Sequence, residues 1–194
     1  MQVLSFVTGA LGTGTYLVHD GTDALIIDPG AECPALQAAV KENELAVRAI
    51  LLTHTHFDHM LGVPSLQRAY PAALIVPAED ERGLTDPRYS LVGWMSDDSL
   101  PPLTADRTVT EGSRIEIGGL TLSTLHTPGH TRGSSCYQIG DVLFSGDTLF
   151  DGGYGRTDLP GGSMSDLTRS LARLETLPRP LTVYPGHGGA FLWR

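Results

Sequence analysis

The 194-residue sequence is poor in basic side chains: 13 lysines and arginines stand against 22 aspartates and glutamates, for a formal net charge of −9. Such a chain has no broad basic surface with which to neutralise phosphates, which excludes general nucleic-acid binding. Cysteine is scarce. The two present, Cys33 and Cys136, are far apart and show no metal-ligand spacing, so they read as free thiols of a reducing compartment. Cys136 falls in an apolar-polar alternation and reads as a packing residue. Long hydrophobic runs are missing too. Ala72 to Ala78, among the longest, contains a proline and falls well short of the ~20 residues of a membrane helix, so no membrane span is expected. The first basic residue is Lys41, and the apolar run Val3 to Val7 breaks at Thr8-Gly9, so the start lacks a secretory pattern and a cytoplasmic location is expected.

What is present describes a folded globule. Hydrophobic residues make up 41% and charged residues 18%, which excludes a disordered tail or a coiled coil. At about 150 residues per domain, residues 1–194 read as a single domain. Glycine and proline are frequent, 23 and 13, which suits many short strands joined by tight turns. Val3 to Val7, Thr15 to His19 and Ala24 to Asp28 read as strands, the last two joined by an Asp20-Gly21 turn. A helix is expected over Cys33 to Asn43, a buried strand over Val47 to Leu52, a short helix around Pro64 to Tyr70 and a strand at Leu74 to Val76. Residues 83–107 lose all periodicity and read as a long loop. Its Tyr89, Leu91, Trp94 and Met95 suit a lid or pocket wall, and equally an insertion packed on itself.

The second half repeats this grammar. Strands are expected at Arg114 to Ile117, Leu120 to Leu125, Ser135 to Ile139, Val142 to Ser145 and Leu181 to Tyr184, with a helix at Ser165 to Leu174 capped by Ser163 and Asp166. Gly21 to Asp28 and Gly140 to Asp147 look like one hairpin used twice, a weak duplication that suits a two-sheet sandwich with helices outside.

Histidine supplies the chemistry. Thr53-His54-Thr55-His56-Phe57-Asp58-His59 follows one expected strand, and His130, Asp147 and His187 each follow another. Imidazole and carboxylate are ligands for borderline divalent metals. In an extended loop His54 and His56, at i and i+2, point the same way and can reach one ion, while Asp58 and His59 in the next turn suit a second. His126 reads as a strand-end hydrogen-bonding residue, and His19, beside Asp20-Gly21, as a surface hairpin residue.

At these residues the sequence resembles the metallo-β-lactamase superfamily. The motifs are Ile27-Asp28-Pro29-Gly30, the His54/His56/Asp58/His59 run, His130 in His-Thr-Pro-Gly-His-Thr, Asp147 in Ser-Gly-Asp-Thr-Leu-Phe, and His187 in Pro-Gly-His-Gly. The resemblance implies an α/β (α+β) fold, a four-layer αβ/βα sandwich with a dinuclear metal site at one edge. It implies one ion on His54, His56 and His130, another on Asp58, His59 and His187, with Asp147 bridging and Asp28 steadying the histidine loop from behind. Zinc is the first expectation for both ions, and iron or manganese also suits the ligands.

The run Gly155 to Gly162 is most similar to small glyoxalase II-like hydrolases. Arg156 stands nine positions after Asp147, where the resemblance places a basic residue that meets a substrate carboxylate; the competing reading pairs it with Asp158, which stands where a tyrosine is usual. Seven residues follow His187, and they hold no counterpart of the helical C-terminal domain of glyoxalase II. Two ions about 3.5–4 Å apart drive a bridging water toward hydroxide, and Asp58 can take the proton. The implied activity is hydrolysis of small acyl thioesters such as hydroxyacylglutathione. An iron-dependent persulfide dioxygenase using His54, His130 and Asp147 is the alternative, and a lactonase or other ester hydrolase is a further one. A small molecule is the expected partner, and the oligomeric state stays open.

Overall fold

Successive side chains of a strand point to opposite faces of its sheet, and here many strands are apolar on both faces, so each sheet must be covered twice. The computed structural model describes residues 1–94 and 99–194. The first sheet has the order β1 (Gln2–Thr8), β2 (Thr13–His19), β3 (Asp23–Ile27), β4 (Ala46–Leu51), β5 (Ala73–Pro77), β6 (Arg107–Val109), antiparallel as far as β3 and parallel from there. The second has the order β12 (Phe191–Trp193), β11 (Leu181–Pro185), β10 (Val142–Gly146), β9 (Ser135–Ile139), β8 (Leu120–His126), β7 (Arg114–Ile117), antiparallel except for the parallel β10–β11 pair.

The two-residue period sorts the core into layers. Tyr16, Val18, Leu25, Ile27 and Leu51 meet Leu122, Tyr137 and Phe144 of the second sheet. Their neighbours Leu17, Ile26, Ile50 and Leu52 face the other way, onto Leu36 and Val40 of α1 (Pro34–Glu42) and Val63 and Leu66 of α2 (Val63–Ala69). On the far side Cys136, Leu143 and Val183 pack with Leu174 of α4 (Met164–Leu174), whose first turn is capped where Ser163 Oγ accepts from the Asp166 N–H. Helices cover the outer face of each sheet, which is the expected four-layer αβ/βα sandwich.

The expected duplication is visible in the connections. A hairpin β2–β3 leads through α1 to the parallel strand β4, and a hairpin β9–β10 leads through α4 to the parallel strand β11. Asp28 and Asp147 each follow the second strand of their hairpin directly.

Three expectations need correction. His19 is not a surface residue: it is only 3% exposed, because strand alternation puts it on the same face as Leu17, beneath the first helical layer. Asp28 lies outside β3 with a φ of +48°, so the strand ends one residue early. The stretch 83–107 is not wholly irregular: a 3-10 segment runs through Ala78–Leu84, α3 covers Pro87–Ser90, and Arg107 already belongs to β6. Helices and strands of three or four residues are shorter than the window over which a period can be read. Of its apolar side chains Leu91 is buried and Trp94 is 65% exposed, while Met95 lies outside the described residues. No described helix is long and apolar enough to cross a membrane.

Burial pushes the Cys136 thiol up to about 11, with Thr127 and Thr148 opposing, whereas Cys33 is half-exposed ahead of α1. A thiol reagent at pH 8 is therefore expected to modify Cys33 alone in the native protein and both thiols in denaturant, as counted by intact mass.

Candidate metal centre

Every candidate ligand stands just past the C-terminal end of a strand. His54 and His56 follow β4, His130 follows β8, Asp147 follows β10 and His187 follows β11. Asp58 and His59 sit in a single 3-10 turn, Phe57–His59, which swings them off the line set by His54 and His56. Two buried tyrosines cross the sandwich and hold these strand ends together. Tyr16 of β2 donates to the Pro185 carbonyl before His187, and Tyr137 of β9 donates to the Leu52 carbonyl before His54, at 2.7 Å.

Outer hydrogen bonds orient the rings. Asp28, 1% exposed, accepts from the Thr53 N–H at 2.7 Å, the Thr53 hydroxyl at 2.6 Å and His59 Nδ1 at 3.0 Å. With its own proton given to Asp28, Thr53 Oγ1 accepts from His54 Nδ1 at 3.1 Å. One carboxylate thus aims two rings. His130 Nδ1 donates to the Arg156 carbonyl at 2.7 Å, and His187 Nδ1 to the Leu11 carbonyl at 3.2 Å. In all four histidines Nδ1 is spent outward, which leaves Nε2 for the interior. His56 differs: its Nδ1 faces His130 Nε2 at 2.8 Å.

The interior is where partners run out. His54 Nε2, His56 Nε2, His59 Nε2 and Asp147 Oδ1 are buried with no hydrogen-bond partner, which is costly unless a cation takes their lone pairs. Ligand atoms of His54, His56 and His130 lie within 4.8 Å of one another, as do those of Asp58, His59 and His187, and of His54, His59 and Asp147. Asp147 directs Oδ1 at His59 Nε2, 3.4 Å away, and Oδ2 at His130 Nε2, also 3.4 Å away. The nitrogen and carboxylate donors, their Nε2 lone pairs and these orphaned atoms fit divalent cations.

The two groups differ in charge. Burial, helped by neighbouring histidines, drives His54 well below its ordinary range, and burial with His130 beside it brings His56 to about 3. Burial also opposes charge on His59, but Asp58, Asp147 and Asp28 outweigh it and raise this ring. His187 is raised chiefly by its hydrogen bond to Asp58. Burial works to raise Asp58 and Asp147 as well; His59 is the largest opposing influence on each, holding Asp58 far below the usual carboxylate range and Asp147 at about 2.

Several contributors carry no signal in the linear sequence. Thr13 Oγ1 donates to Asp58 Oδ2 at 3.0 Å from the start of β2, 45 residues away. Gly186 allows His187 to approach, since a Cβ there would overlap Asp147 Oδ1 and lie 2.8 Å from His59 Cε1. Asp80 is buried behind the histidine loop. Arg156 is brought to the centre by its backbone, while its guanidinium makes two hydrogen bonds to exposed Asp158 at 2.7 and 2.8 Å. His126 Nε2 meets the Arg132 carbonyl at 2.8 Å and stands apart from the cluster.

A profile of the metallo-beta-lactamase superfamily matches residues 8–187. An uncharacterized protein of Mycobacterium leprae is 37% identical over 98% of this chain and 93% of its own length. A probable metallo-hydrolase of Bacillus subtilis is 34% identical over 93% of this chain and 87% of its own. A hydroxyacylglutathione hydrolase of Stenotrophomonas maltophilia is 36% identical over 88% of this chain but only 58% of its own. Among solved structures, the BLEG-1 B3 metallo-beta-lactamase superposes with a TM-score of 0.87 at 34% identity, covering 98% of this chain and 94% of the other. TTHA1623 in a di-iron-bound form gives 0.86 at 36% identity with the same coverage, and ETHE1 from Myxococcus xanthus 0.78 at 28%, covering 99% and 80%.

The charge difference sets a pH order. The rings of His54 and His56 are neutral and ready to ligate, whereas a cation entering between Asp58, His59 and His187 must displace protons held by raised rings. Lowering the pH therefore empties that group first. With a cation on each group, zinc retained per chain after dialysis is expected to fall in two steps as the pH is lowered, the Asp58, His59 and His187 group emptying first, and loss of both ions at one pH contradicts this assignment.

Proposed function

The chain belongs to the metallo-beta-lactamase superfamily, and from that premise we propose that it is a metal-dependent hydrolase of small acyl thioesters, of glyoxalase II type. The observation that carries this reading is the orientation of Asp147, which turns one oxygen toward His59 and the other toward His130 and so faces both ligand groups at once. Such a carboxylate suits two cations, on His54, His56 and His130 and on Asp58, His59 and His187. Divalent ions bound there supply Lewis acidity and lower the pKa of water.

The chain's own groups do the rest. Asp58 stays ionised between His59, His187 and the Thr13 hydroxyl, so its carboxylate can accept a hydrogen bond from the attacking water and orient it. A thiolate departs readily because its conjugate acid has a pKa near 8.5, so thioesters need no dedicated acid. Arg156 lies beside the centre through its bond to His130, and its exposed guanidinium can exchange Asp158 for a substrate carboxylate. The likeness to a hydroxyacylglutathione hydrolase over 88% of this chain supports this substrate class.

A second reading takes His54, His130 and Asp147 as the ligands of one iron, in an oxygen-consuming persulfide dioxygenase. The similarity to ETHE1 favours it, and the di-iron-bound form of TTHA1623 supports iron as the metal, though not a single ion.

Metal content and two assays on the purified protein separate the readings. About two ions per chain, turnover of acyl thioesters and loss of turnover on chelation are expected. One iron per chain, with oxygen uptake on glutathione persulfide and no thioester cleavage, overturns the hydrolase. Arg156→Ala is expected to raise KM for anionic thioesters about tenfold or more and for neutral ones little; equal effects assign the side chain to its ion pair with Asp158 alone.

A further inference from the structure

In the acidic run Glu79-Asp80-Glu81 the outer two side chains are exposed, as surface charges usually are, but Asp80 is 8% exposed. The 3-10 segment Ala78–Leu84 turns it inward, behind the histidine loop, where no lysine or arginine pairs with it among the described residues. A buried carboxylate without a cation is expensive, and burial pushes its pKa up against the hydrogen bonds it accepts. Those bonds all come from two loops. Thr55, between His54 and His56, donates its N–H to Asp80 Oδ2 at 3.3 Å and its hydroxyl to the Asp80 carbonyl at 2.8 Å. Thr131, next to His130, donates its hydroxyl to Oδ2 at 2.6 Å, and Gly133 donates its N–H to Oδ1 at 2.7 Å. The packing admits no slack: a Cβ on Gly133 would lie 2.6 Å from Asp80 N, and a Cβ on Gly83 would overlap Thr55 Oγ1.

We propose that Asp80 is a positioning residue of the metal centre, clamping the loop of His54 and His56 to the loop of His130 and so setting the separation of these three rings. Among the described residues it makes no hydrogen bond to a candidate ligand side chain, and its action runs through Thr55, Thr131 and Gly133. The inference rests on the reading of the three histidines as a cation site. Asp58, His59 and His187 make their outer hydrogen bonds to Thr13, Asp28 and Leu11 and none to Thr55, Thr131 or Gly133, so the clamp acts first on the three-histidine group. The loops are also joined by a backbone bond from Ser135 N–H to the Thr53 carbonyl at 3.0 Å, which does not involve Asp80.

The test is Asp80→Asn in the full chain. An amide has one oxygen for donors that met two, so at least one bond is lost. Zinc affinity is measured by competition with a chromogenic chelator, and cobalt(II) absorption distinguishes the three-nitrogen group from the carboxylate-containing one. Asp80→Asn is expected to weaken the three-histidine group about 10–100-fold, to spare the other, and to shift melting of the metal-free protein by no more than about 4 °C. Thr131→Val is expected to weaken the same group and Thr131→Ser to preserve it, which keeps the test decisive should Asp80→Asn fail to fold. Unchanged affinity, equal weakening of both groups, or identical behaviour of the two Thr131 variants overturns the clamp. Wild-type protein that binds neither zinc nor cobalt overturns the reading of the site itself.

Discussion

One carboxylate, Asp28, organises the centre. It sits outside β3 in a left-handed backbone conformation that non-glycine residues rarely adopt, and it is almost wholly buried. Both costs are offset by its three donors, the Thr53 N–H, the Thr53 hydroxyl and His59 Nδ1. Because the Thr53 hydroxyl passes the constraint to His54, one buried charge fixes the tautomer and direction of two rings in different ligand groups.

The second constraint is where the sheets end. Short strands with parallel crossovers bring four strand ends to one edge of the sandwich, and polar side chains gather there without crossing the apolar layers. Tyr16 and Tyr137 lock the edge by satisfying their buried hydroxyls on the carbonyls of Pro185 and Leu52. The internal repeat explains why two aspartates serve the site. Asp28 and Asp147 occupy equivalent places after a hairpin, yet the first faces the back of the histidine loop and the second faces the cations' side.

Carboxylate contact then divides the chemistry. His54 and His56, buried among other rings, are held low, while His59 and His187 are raised by the carboxylates around them. His187 is the outermost, with 29% of its side chain exposed, but His59 is wholly buried, so the neighbouring carboxylates and not depth set the difference. Stability and metal affinity are opposed here, since the lone pairs left without partners are those a cation needs.

Much of this was legible in the chain. The largely apolar run Val47 to Leu52 marked a buried strand, Ala24 to Asp28 and Val142 to Ser145 marked further strands, and the His54-x-His56-x-Asp58-His59 run marked the candidate ligands, because these signals depend on residues close in sequence. The burial of His19 is not legible there, since a turn beside it says nothing of which face of the sheet it occupies. Asp80 was invisible among acidic neighbours, as were Thr13 and the carbonyl of Arg156. Local spacing determined which side chains could bind a cation. Only the tertiary structure decided which atom each one presents and what holds it there, because those choices are made by hydrogen bonds between loops 25 to 176 residues apart.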